Sequence, residues 1–128
     1  LKEDRAGMVI VTNEEKSESI KSLQSTIRKL ESALSQMTQS GANTTLVQKR
    51  LRAVGIGLAV LENLWHQKPH SYTPDELNEA REALVGLTPS VENSYAKSKA
   101  GSPQKTLLAR RLKALELAVQ AMDDLSAK

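Results

Sequence analysis

The chain has 128 residues, a formal charge of +3, no cysteine, no phenylalanine, one tryptophan and two tyrosines. That length suits one domain with its own core, and the lack of cysteine excludes disulfides, a thiol nucleophile and thiolate metal sites. With so few aromatic residues the core must be aliphatic, and the abundant Leu, Ala, Lys, Glu and Gln favour helices.

Residues 1–12 read as an N-terminal extension. Its apolar patch, Met8–Val11, is shorter than the about 7–15 residues of a signal-peptide core. Met8 offers a start, with Leu1–Gly7 then lying upstream of the native protein. The longest apolar run, Ala53–Leu61, falls far short of the ~18–20 residues that span a bilayer. The expected setting is therefore cytoplasmic, with no membrane partner.

Thr12 followed by Glu14 and Glu15 is a helix-start signal: a capping hydroxyl, then acids at the positive end of the helix dipole. Ile20, Leu23, Ile27, Leu30, Leu34 and Met37 form one stripe, which predicts a first helix from about Asn13 to Gln39. Ser40–Asn43 reads as a turn. The second helix runs from about Thr45 to Gln67 and ends ahead of Pro69. It carries two stripes, Val47, Leu51, Val54, Leu58, Leu61, Trp65 and Leu46, Ala53, Gly57, Val60, Leu64, so it should have neighbours on two sides. After a linker at 69–72, Thr73-Pro74-Asp75-Glu76 starts the third helix. Pro89 should kink or break that helix, although the apolar register continues past it. Ser102-Pro103 starts the fourth, which runs to about Ser126 and again carries two stripes.

The second half of the chain matches the first at an offset of 61 residues. Leu46–Leu64 aligns without gaps on Leu107–Leu125, including Lys49 with Arg110, Arg50 with Arg111, Arg52 with Lys113 and Glu62 with Asp123. An amphipathic pattern alone does not fix basic, acidic and small positions together. The expected fold is therefore an all-α, antiparallel up-down four-helix bundle of two similar hairpins, 13–68 and 73–128, related by a pseudo-twofold within a single domain. The second and fourth helices should form the inner pair, with Ala53, Gly57 and Val60 close to Ala114, Ala118 and Ala121.

Arg50 and Arg111 fall between the two apolar stripes of their helices, where an unpaired charge is costly. Across an antiparallel hairpin they should face Glu31 and Glu92, giving structural ion pairs Glu31–Arg50 and Glu92–Arg111. Charge is also segregated. Arg28–Arg52 and Pro89–Lys113 together hold eleven Lys/Arg against two Asp/Glu, a net +9, and the remainder a net −6. In an up-down bundle both hairpin turns share one end. Lys49, Arg52, Lys97, Lys99, Lys105, Arg110 and Lys113 would then build one basic surface for an anion or a partner.

No motif for catalysis, nucleotide binding or a di-iron site occurs, so neither an enzyme nor a cofactor is expected. Glu62, His66 and His70 are spaced four apart, but Pro69 breaks the helix before His70, so no metal is expected there either. The expected role is a small non-enzymatic interaction or regulatory module with an unidentified protein partner. A nucleic-acid-associated protein is the alternative, although no aromatic lies among the cations for base stacking. A self-associating, homodimeric structural protein is the second alternative.

Overall fold

The computed structural model describes residues 2–3 and 9–126; the reading of Met8 as a start after Leu1–Gly7 lies outside the described residues. Two short strands, β1 (Lys2–Glu3) and β2 (Val9–Ile10), pair antiparallel, with Lys2 opposite Ile10 and Glu3 opposite Val9. Four helices follow: α1 (Asn13–Ser40), α2 (Thr45–His66), α3 (Pro74–Lys97) and α4 (Pro103–Ser126). They form an all-α bundle. None is long and apolar enough to cross a membrane.

The helix ends have local causes. α1 and α3 each begin with a capping box: Thr12 with Glu15, and Thr73 with Glu76, satisfy each other's backbone N–H groups. The α4 start is held by Ser102, whose Oγ accepts from the Lys105 N–H at 3.1 Å. α1 stops at Gly41, in the left-handed region at φ 76°, where the lack of a Cβ removes the steric penalty. Of the kink or break expected at Pro89, the break does not occur: α3 runs through that residue as one helix. The carbonyl that proline leaves without an N–H belongs to Val85, which is 46% exposed, so water can take that bond.

The core is aliphatic. Leu23, Val54, Val60, Leu61, Leu84, Leu115 and Met122 are its largest fully buried side chains. Ile56 and Leu117 are also buried, although neither belongs to the stripes read from the sequence. Leu46, Leu64 and Leu107, at stripe ends, are instead more than half exposed. The stripes overreach because α2 and α4 pack closely around one point. A Cβ built on Gly57 would lie 3.3 Å from the Ala118 Cβ and 3.3 Å from the Leu84 Cδ1. Every pair of helices is in contact except α1 and α3, so α2 and α4 form the inner pair as expected.

The direction of the helices departs from the up-down-up-down order. Within each hairpin the partners are antiparallel, tied by Lys16 over the Trp65 ring in one and by Arg81–Asp123 and Lys105–Tyr95 in the other. Between hairpins, α2 and α3 run the same way. Gly57 sits against Leu84, and Arg52, five residues earlier in α2, reaches Glu76, eight residues earlier in α3, at 2.7 Å. Antiparallel helices would set Arg52 level with Pro89, about 20 Å along the axis from Glu76. The order is therefore up-down-down-up. The turn before α2 and the turn after α3 lie at opposite ends of the bundle.

This register predicts a crosslinking result. The chain has no cysteine, so introduced thiols have no competitor. Arg52→Cys with Glu76→Cys should be bridged efficiently by a short bis-maleimide, whereas Arg52→Cys with Ser90→Cys should not. The opposite outcome, read by mass spectrometry after proteolysis, would restore the up-down order.

Candidate functional site

The parallel register decides what becomes of the cations. Because the two turns sit at opposite ends, each basic segment lies beside the acidic start of the other hairpin. Arg52 pairs with Glu76, Lys113 with Glu15, and Arg110 with Glu18 at 2.8 Å. Both acids of the capping boxes are thus used twice, once by a backbone N–H and once by a cation from an inner helix. The Glu76 carboxyl is held below its usual range, chiefly by the Thr73 backbone hydrogen bond and then by its hydroxyl and Arg52. The stability it lends is therefore present at neutral pH and is lost as pH falls through that lowered value.

The single basic surface expected of Lys49, Arg52, Lys97, Lys99, Lys105, Arg110 and Lys113 does not form. Lys49 and Arg52 lie along the α2/α3 side, and Arg110 and Lys113 along the α1/α4 side, with acids among them. Lys97 and Lys99 are exposed near the end of α3. Lys105 has a structural role that the sequence pattern did not show. Its Nζ donates to the Tyr95 carbonyl at 3.1 Å and sits 4.2 Å from the Tyr95 ring centroid, neutralising the negative end of α3.

The ion pairs Glu31–Arg50 and Glu92–Arg111 are also not formed; Glu31 and Glu92 are exposed, and among the described residues neither arginine has a carboxylate within ion-pair distance. The reason is the face, not the register. Each arginine turns away from its own hairpin partner towards the outer helix of the other hairpin. Arg50 lines a groove with α3, and Arg111 a groove with α1. Burial lowers the Arg111 pKa from its usual value, and its Nε is buried with no hydrogen-bond partner among the described residues.

Two lateral grooves result. The α2/α3 groove, about 530 Å³, has a floor of Ala53, Ile56, Ala80, Ala83 and Gly86, with Leu46 at its rim. Lys49, Arg50 and Arg52 line one wall, and Glu79 and Glu82 the other. The α1/α4 groove, about 400 Å³, is polar and cationic: Glu18, Lys21, Ser22, Gln24, Ser25 and Arg28 face Leu107, Arg110 and Arg111. Lys21 and its neighbours in α1 were missed in the sequence because they sit more than 80 residues before the arginines they join.

The histidines do not converge. Glu62 is taken by Lys68 at 2.9 Å, His66 lies beside α1, and His70 stacks on Tyr72. No group of three or more metal-ligating side chains occurs among the described residues. No family model, curated protein or solved structure matches the chain.

Proposed function

We propose that the protein is a non-enzymatic binding module, made of two copies of one helical hairpin, that accepts an amphipathic helix of a protein partner in its α2/α3 groove. The observation that carries this reading is the groove itself: an open apolar floor with an exposed leucine at the rim and walls of opposite charge. A helix with an apolar stripe flanked by an acid on one side and a base on the other complements it.

Several observations support the duplication. The capping boxes Thr12/Glu15 and Thr73/Glu76 stand 61 residues apart, and so do the cations their acids take, Arg52 and Lys113. Buried residues correspond at the same offset: Leu23 with Leu84, Ala53 with Ala114, Val54 with Leu115, and Ile56 with Leu117. Gly57 meets Ala118, its own counterpart, as a residue on a twofold axis must. With α2 and α4 antiparallel, that axis is perpendicular to the helices. Duplication thus accounts for two equivalent grooves in one small chain. The nucleic-acid alternative loses its motivation, because the cations do not form one surface.

A photo-crosslinking residue at position 46 tests the reading. It should capture a protein of the native host. Once purified, that protein should bind the wild type but not Leu46→Glu, whose helical circular dichroism and melting should be unchanged because Leu46 is 57% exposed. Equal binding to both forms would reject the groove. Capture of a second copy alone would favour the homodimer.

A further inference from the structure

We propose that the α1/α4 groove binds a phosphate-type oxyanion, gripped by Lys21 and Arg28 of α1 and Arg111 of α4, with the Ser22 and Ser25 hydroxyls alongside. The groove carries four cations against one acid. That acid, Glu18, is committed to Arg110. Among the described residues, Lys21, Arg28 and Arg111 have no carboxylate within ion-pair distance. Three uncompensated cations around one concavity repel one another, and a bound dianion removes that repulsion.

Arg111 supplies the second argument. Its guanidinium is partly desolvated, and its Nε hydrogen has no acceptor among the described residues. An unpaired buried donor is costly, and a charged one more so. Since no side chain among the described residues offers it an oxygen, a ligand in the groove is the available source. Arginine's planar fork matches a phosphoryl group, and serine hydroxyls at i and i+3 add donors on the same wall.

The third argument is the comparison between the grooves. At the 61-residue offset Lys21 corresponds to Glu82, Arg28 to Pro89, Ser22 to Ala83 and Ser25 to Gly86. All four differences move the α1/α4 groove towards holding an anion, while the arginine at 50 and 111 is shared. The lining includes no aromatic side chain to stack on a base, so recognition rests on the phosphoryl group. A volume of about 400 Å³ suits inorganic phosphate, pyrophosphate or a small phosphomonoester.

The test is titration of the full chain with sodium pyrophosphate, inorganic phosphate and sodium chloride, followed by ¹⁵N NMR of the arginine Nε–Hε signals. The Arg111 signal should move saturably with pyrophosphate, and the Arg50 signal should stay. Lys21→Gln with Arg28→Gln, both at exposed positions, should weaken binding roughly tenfold or more without changing the melting transition. Arg50→Gln should bind as the wild type does. Parallel shifts of Arg50 and Arg111, a response to chloride equal to that to pyrophosphate, or unaltered binding by the double variant would each overturn the proposal. Single-stranded DNA binding more tightly than pyrophosphate through the same residues would also overturn it, in favour of a polymer. Phosphomonoesters compared with free pyrophosphate distinguish the source of the anion. Since Leu46→Glu lies in the other groove, it should leave pyrophosphate binding intact even if the partner-binding reading fails.

Discussion

Leu84→Ala should cost about 2–5 kcal/mol in chemical denaturation, the range for removing a fully buried leucine whose surroundings cannot collapse. Leu84 has no exposed surface. Its Cδ1 lies against Gly57 of α2, close to the place where α2 meets α4, so three helices share the space it fills. Closing that cavity would require α3 to shift towards α2. The Arg52–Glu76 bridge and the seven-residue linker that follows α2 resist such a slide. Leu87, one turn on and 7% exposed, should cost less on truncation because solvent already touches its site. If Leu84→Ala and Leu87→Ala destabilise equally, the three-helix junction is not the centre of the core.

The helices themselves were legible in the sequence, because their causes are local. Thr12, Thr73 and Ser102 cap starts, Gly41 permits a left-handed stop, and the spacing of Leu23, Leu84 and Leu115 marks inward faces. The inner pair was legible as well, since α2 and α4 alone carry apolar groups on two sides. The relative direction of the hairpins was not. Residues 67–73, fully extended, reach about 25 Å. They can therefore carry the chain back along much of α2 as readily as turn it round beside the end of that helix. No local signal distinguishes the two routes. The choice is made by long-range fit, in which Gly57 lets Leu84 and Ala118 approach and Arg52 finds Glu76.

That one undetermined direction carried the error over the basic surface. With both turns at the same end, Lys49, Arg52, Lys97, Lys99, Lys105, Arg110 and Lys113 would have formed one surface. With the turns at opposite ends, the basic start of each inner helix lies against the acidic start of an outer helix, where Arg52 meets Glu76 and Lys113 meets Glu15. The arginines between the stripes were recognised as unusual, but a position between stripes allows two directions. The choice of the inter-hairpin side left Arg111 without an acid and Lys21 and Arg28 beside it.

Gly57→Leu is expected to destabilise the bundle by roughly 1–3 kcal/mol or more, through overpacking. The site has no room for a larger group: even a Cβ would meet Ala118 and Leu84 at 3.3 Å and the Met122 Cε at 3.8 Å. The Ala118 neighbour is the rigid constraint, because a Cβ cannot rotate away, whereas Leu84 and Met122 can change rotamer. Relief therefore requires α2 and α4 to separate, which opens space on both sides of the Gly57–Ala118 contact. Gly55 provides the internal control. It lies two residues away in the same helix with nothing within 4 Å of a built Cβ, so Gly55→Ala should stabilise by about 0.5–1 kcal/mol through reduced backbone entropy in the unfolded chain. Opposite signs at two glycines in one helical turn would be hard to obtain from helix propensity, which favours the larger residue at both. Combining Gly57→Leu with Leu84→Ala separates the two constraints, since the two sites touch and their effects should not add. If contact with Leu84 limits Gly57, the double variant recovers part of the loss. If Ala118 limits it, the second truncation adds its own cost, and the close approach of α2 to α4 is what holds the hairpins together.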